Sequence, residues 1–236
     1  TAGVWKRSST FFPRLRNRSD QEKRFEPEFT PSAGALHLVH RSESGPTELM
    51  LGHATIPRNH TDALALLLGT MVFGGHRDSR LAVALRQSQG IGLSAGASVE
   101  LKSARSPFVI RATVRQDATT VAVRTITETL NRLRRDGITD EELRDAKTRL
   151  RVALPDAFQT RRAVAASIAN LFRFELPWEH YAMLPEALER IEREDVRRAL
   201  EQHLDPEALN VVAIGDRTVV KEALERLNLG AVNVVE

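Results

Sequence analysis

Residues 108–135 read FVIRATVRQDATTVAVRTITETLNRLRR, and the period of their apolar residues changes once along the way. Phe108, Ile110, Ala112 and Val114 alternate with Val109, Arg111, Thr113 and Arg115. A period of two is that of an extended strand, and one dry face against one wet face belongs to an antiparallel sheet open to solvent on one side. Asp117 or Thr119 then opens a helix that runs to Arg135, with Ala122, Ile126, Leu130 and Leu133 as its apolar stripe. Arg124 and Glu128, at i,i+4 on the outer side, are expected to pair. Gly137 stops the helix. A half-wet strand followed directly by a one-sided helix predicts helices laid on one face of a sheet.

The flanking sequence repeats the theme. Upstream, Leu36 to Val39 and Glu48 to Ile56 read as strands. With the turn cluster Ser42-Glu43-Ser44-Gly45-Pro46 between them, 36–56 is expected to be a hairpin. Pro57 ends it. Thr61 or Asn59 can cap the next helix, and Asp62 is favourably placed at its positive end. That helix, about 62–73, is apolar nearly all round, so it should lie deep in the core. Gly74-Gly75 breaks it, and a second helix follows from Asp78 or Ser79 to Gln89. Leu93 to Leu101 is a small-residue strand. Downstream, Thr139 with Glu142 forms a capping-box pattern, and its helix turns Leu143, Ala146 and Leu150 inward until Pro155 interrupts it. Helices are expected over about 156–174, 178–190 and 194–203, then a strand 208–214, a helix 218–227 and a short strand 232–235. Strands and helices come in runs, which predicts an α+β fold: a mainly antiparallel sheet with helices packed on one face.

Residues 1–33 differ. They mix Trp5, Phe11 and Phe12 with arginines and with Pro27 and Pro31, and read as an extended linker or arm, leaving one domain over 34–236. Residues 1–30 hold the whole charge excess of +3, and 31–236 hold 27 charges of each sign. The body therefore lacks the basic stripe of a nucleic-acid binder, and aromatics for base stacking are only 5%. No apolar run approaches the length of a membrane span. The absence of cysteine excludes disulfides, Cys-ligated zinc and a thiol nucleophile.

Catalytic patterns are missing. Neither H-E-x-x-H nor H-x-x-E-H occurs among His37, His40, His53, His60, His76, His180 and His203. His37 and His40 are three apart on a strand, hence on opposite faces. Each histidine reads as a surface or capping residue. There is no G-x-S-x-G elbow and no phosphate loop. Gly215-Asp216 reads as a helix cap. What stands out is GGHRDSRLAVALRQSQG, residues 74–90. Arg80 and Arg86 are six apart on its helix, so they point to different sides. An arginine near the end of a helix that feeds a Gly-rich strand suits carbonyl or carboxylate recognition; the bland alternative is a solvated or acid-paired arginine.

That stretch, G-G-x-x-x-S-R-L-x-x-x-L-R-x-x-x-G, resembles the pitrilysin/insulinase family of zinc peptidases, the inverzincins. So do GITDEELRDAK (137–147), LPWEHY (176–181), IEREDV (191–196) and LDPEALNVVAIGD (204–216). The motifs stand in order over about 34–236. The resemblance implies the second of two related α+β domains, the C-terminal domain that lacks zinc ligands. Gly74, Gly75, Ser79 and Arg80 would be its structural motif, and 1–33 its inter-domain linker; the start at Thr1 fits a piece of a longer protein. It further implies that the chain holds no metal and no cofactor of its own. Zinc would sit on a partner domain or subunit bearing H-x-x-E-H, in cis or trans, and the chain would help enclose extended peptide substrates. The family's arginine falls on Arg86, a substrate-binding residue, but the tyrosine seven residues on falls on Leu93, and the only tyrosine is Tyr181. The alternative is therefore a degenerate, non-catalytic subunit with an assembly or peptide-binding role. Lack of cysteine fits cytosol and periplasm alike, and resemblance to bacterial two-subunit peptidases tilts the expectation to the periplasm.

Overall fold

A computed structural model describes residues 34–42, 45–88, 90–227 and 230–235; the arm 1–33 lies outside them. The chain runs β1 (Leu36–His40), β2 (Thr47–Ala54), α1 (Ala63–Gly74), α2 (Arg80–Gln87), β3 (Gly92–Val99), β4 (Pro107–Val114), α3 (Thr119–Asp136), α4 (Asp140–Ala153), α5 (Arg161–Arg173), α6 (His180–Arg190), α7 (Arg193–His203), β5 (Asn210–Gly215), α8 (Arg217–Glu225) and β6 (Val232–Val235). The strands form one six-stranded sheet in the order β3-β4-β2-β5-β1-β6. Pairings among β3, β4, β2 and β5 are antiparallel, and β1 runs parallel to both β5 and β6.

This is the α+β fold that the periodicities predict. On β4, Phe108, Ile110, Ala112 and Val114 are buried while Arg111 is exposed. The stripe Ala122, Ile126, Leu130 and Leu133 of α3 is fully buried against that same face, each large side chain contributing roughly 1.5–3 kcal/mol. Helix α1, apolar all round, lies in the core with Leu66, Leu68 and Phe73 fully enclosed. The capping box of α4 forms as read: Thr139 accepts from the Glu142 amide and Glu142 accepts from the Thr139 amide. A 3-10 turn, Leu154–Phe158, follows at Pro155, so the next helix starts at Arg161 rather than near Asp156. No described helix is long and apolar enough to cross a membrane.

Three local readings are corrected. Residues 36–56 do not form a hairpin: β5 lies between β1 and β2. Val211 pairs with Leu36 on one side and Leu51 on the other, and Ala213 with Leu38 and Leu49. Those four leucines are 0–3% exposed, so the inserted strand shields apolar groups on both flanks and satisfies its own backbone on both edges. Local turn chemistry favours neighbours in sequence and carries no information about a strand that arrives from residue 210. Second, Arg124 does not pair with Glu128 but donates to the Arg226 carbonyl after α8, at 3.2 Å. Third, neither Asn59 nor Thr61 caps α1; Asp62 occupies that position without a capping bond and spends its carboxylate elsewhere.

Candidate functional site

Helix α1 ends against β3. A Cβ on Gly74 would lie 2.5 Å from both the amide nitrogen and the Cβ of Ala97, so only glycine lets helix and strand approach this closely. The Gly74-Gly75 turn then leads to Ser79, which sits extended at the start of α2 with its hydroxyl buried and without a hydrogen-bond partner. Arg80 turns toward α4 and grips Glu142 with two parallel bonds, Nε to Oε1 and Nη2 to Oε2, both 2.6 Å. Glu142 also accepts from the Thr139 amide at 2.7 Å, so one carboxylate joins α2 to the cap of α4. Burial pushes that carboxyl up, but the bonds from Arg80 and Thr139 outweigh it and hold it below the usual range.

The pair has a stability signature. Both side chains are a little over a quarter exposed (27% and 28%), so solvent screening discounts the charge-assisted bonds. Arg80→Met is expected to cost about 1–2 kcal/mol in urea unfolding near neutral pH. A carboxyl whose folded pKa lies below its unfolded value stabilises above the unfolded pKa, about 4.3, and loses that contribution as pH falls through the folded value. The gap between wild type and Arg80→Met should therefore shrink on acidification. A gap constant down to about pH 3 would contradict this assignment.

Arg86, six residues on, faces the other way, as the helical phase requires. It is half exposed. Its Nη1 donates to the Arg77 carbonyl at 2.5 Å, and its Nη2 lies 3.5 Å from Asp78 Oδ1, so the acid-paired alternative is realised only as a long contact. The last turn of α2 lies against the first residues of β3, where a Cβ on Gly92 would meet the Leu85 Cβ at 2.8 Å. Arg86 and Leu93 thus belong to one corner of the molecule. Leu93 is 61% exposed on β3, which among the described residues is an edge strand with backbone groups open on one side. The lone tyrosine is not part of this corner. Tyr181 is engaged between α6 and α5, its hydroxyl donating to the Ser167 carbonyl at 3.3 Å with its ring edge-on to Phe158.

His40 and His53 accept from backbone amides. His53 accepts from the Asp205 amide through Nε2 at 3.1 Å, and burial pushes its pKa down. His40 accepts from the Arg217 amide at 3.3 Å. Asp216 caps α8, accepting from the Thr218 amide at 2.9 Å. One grouping escapes sequence reasoning. His60, Asp62 and His203 meet where the turn before α1 touches the end of α7, with their donor atoms all within 4.8 Å of one another. Its only local trace is the spacing His60-x-Asp62; His203 is 141 residues from Asp62. Burial pushes the Asp62 carboxyl up, but hydrogen bonds from His203 and Arg198 outweigh it and hold it below the usual range.

The sequence profile described as the peptidase M16 inactive domain matches residues 6–150. Among solved structures, a peptidase M16 inactive domain from Pseudomonas fluorescens superposes with a TM-score of 0.70 at 22% identity, over 80% of this chain and 45% of that one. A protease from Helicobacter pylori gives 0.72 at 18% identity, over 91% of this chain and 52% of that one. The periplasmic protease PqqL from Escherichia coli gives 0.65 at 14% identity, over 78% of this chain and 21% of that one. At these identities the likeness establishes the fold. This chain spans about half the length of the first two and a fifth of the third. No curated protein matches the sequence.

Proposed function

Since this chain belongs to the peptidase M16 inactive-domain family, we propose that it is the non-catalytic partner of a zinc-bearing peptidase domain and helps enclose and bind extended peptide substrates. The peptide bond would be cut elsewhere, at a zinc held by an H-x-x-E-H domain or subunit, in cis or trans. No catalytic cofactor is expected in an inactive domain of this family. The arm 1–33 would be the linker to that domain, and 34–236 the domain itself. The observation that carries this reading is the corner of α2 and β3. A half-exposed guanidinium stands there beside an edge strand, and an extended peptide docking at that edge would find main-chain partners along β3 and a carbonyl-binding fork at Arg86.

The test uses the full chain together with its zinc-bearing partner. Arg86→Ala is expected to lower kcat/KM for peptide cleavage roughly ten- to a hundredfold, the loss of one charge-assisted hydrogen bond to substrate, without moving the unfolding midpoint. Unchanged cleavage would remove Arg86 from the site. Leu93 favours the second reading, a degenerate subunit that serves assembly or peptide binding, because an isobutyl group supplies no hydroxyl to a developing oxyanion. If no pairing yields chelator-sensitive cleavage while the chain still assembles with its partner, that second reading stands. A rise in kcat on Leu93→Tyr would support the first.

A further inference from the structure

The turn before α1 and the end of α7 meet at His60, Asp62 and His203, at the opposite end of α1 from the Gly74-Gly75 turn that leads to Arg86. His203 Nε2 lies 2.9 Å from Asp62 Oδ2, and His60 Nδ1 lies 4.0 Å from the same oxygen. The two imidazoles stand nearly perpendicular, with ring centroids 5.1 Å apart. Two imidazole nitrogens and one carboxylate oxygen form a donor set for a borderline divalent transition metal rather than for calcium or magnesium. In a tetrahedral zinc site, with metal–ligand bonds near 2.0–2.2 Å, donor atoms stand about 3.3 Å apart. The two measured separations bracket that value, so small side-chain rotations close the set.

The surroundings fit as well. Asp62 is the inner ligand, 9% exposed, and His203 is 14% exposed, whereas His60 is 37% exposed; the cluster is therefore enclosed at Asp62 and open to solvent at His60. Arg198 Nη2 holds the second oxygen, Oδ1, at 3.1 Å. It orients the carboxylate with Oδ2 toward the imidazoles, the part an outer-shell partner plays in metal sites. Arg198 is itself tied to Asp195 at 3.1 Å, which offsets part of its charge next to a dication. His60 Nδ1 accepts from the Asp62 amide at 3.1 Å, a bond that ligation through this nitrogen would replace.

We infer that His60, Asp62 and His203 form a non-catalytic binding site for a divalent transition metal, zinc by chemistry, that staples the start of α1 to the end of α7. The donor set of His60, Asp62 and His203 includes no glutamate, and it lies at the far end of α1 from the turn that leads to Arg86, so the ion is assigned a structural role. Its position explains the consequence. Helices α1 and α7 already pack so closely that a Cβ on Gly69 would lie 2.8 Å from the Leu200 side chain, and a metal across their ends adds a crosslink that exists only in the folded state.

The probes are Co²⁺ and Zn²⁺ added to tag-free chain. Co²⁺ should give one saturable set of visible d–d bands at one equivalent, displaced by Zn²⁺. Zn²⁺ should raise the melting temperature by several degrees, reversed by EDTA. His60→Ala, at an exposed turn position, should fold normally without metal and bind at least tenfold more weakly. His203→Gln should lose the d–d bands. Absence of saturable binding overturns the proposal. So does binding that survives both substitutions, since the ion would then sit on other histidines. If His203→Gln fails to fold, the His60→Ala titration decides alone. None of these readouts depends on peptidase activity.

Discussion

Deleting residues 205–236 is expected to abolish folding of the whole domain, although only the last strands and one helix are removed. The reason is the place of β5. It is paired on one side with β1 and on the other with β2, so its loss splits the sheet down the middle rather than trimming an edge. Val211 and Ala213 are withdrawn from among Leu36, Leu38, Leu49 and Leu51, all of which are buried in the intact fold. Exposing four such leucines forfeits roughly 1.5–3 kcal/mol each, a sum comparable with the entire 5–15 kcal/mol stability of an ordinary domain. Strand β1 keeps no partner either, because its second neighbour, β6, is deleted too. Circular dichroism should show no cooperative unfolding transition, and limited proteolysis should reach into α1. Were 36–56 a hairpin, the sheet would survive as β1-β2-β4-β3 and the truncated chain would still melt cooperatively. That result would refute the topology.

Gly74→Val is expected to be strongly destabilising. Its Cβ would stand 2.5 Å from the Ala97 amide nitrogen, and backbone cannot yield as a flexible side chain can. The end of α1 must lift from β3, and the two extra methyl groups enlarge the displacement. Overpacking of a rigid contact costs about 1–3 kcal/mol and more where backbone moves. We expect about 3 kcal/mol or more, a melting-temperature drop of roughly 6–12 °C for a domain of this size. Gly45→Ala is the control: nothing lies within 4 Å of its Cβ, and its effect should stay within about 0.5 kcal/mol. Because the lifted helix end carries the 75–79 turn, and Arg86 rests on the Arg77 carbonyl of that turn, Gly74→Val should also disturb Arg86. A neutral Gly74→Val would show that α1 and β3 do not touch there.

The pair formed by Arg80 and Glu142 shows how far a motif can be read. The sequence placed Arg80 opposite Arg86 on one helix and placed Glu142 in a capping box, two statements made independently. Nothing in either spacing says that the guanidinium and the carboxylate meet, 62 residues apart. The same holds for Arg124, whose local partner at i+4 lost to a carbonyl beyond α8. Within a helix turn, geometry is fixed by the 3.6-residue period, so local pairs are the natural guess; a long arginine takes whichever acceptor the packed neighbours present.

By itself, then, the sequence determined what depends on short-range geometry. The alternation of 108–115, the stripe of 119–136, the capping box at Thr139 and the interruption at Pro155 each follow from a period or a backbone restriction within a few residues. Together they fixed an α+β fold with one dry sheet face, and the motif at 74–90 pointed to the family. Only the tertiary structure decided what brings distant residues together. It slid β5 between β1 and β2, closed Arg80 on Glu142, and gathered His60, Asp62 and His203 at one junction. Those outcomes depend on which apolar faces bury each other best across the whole chain, and no local pattern records that competition.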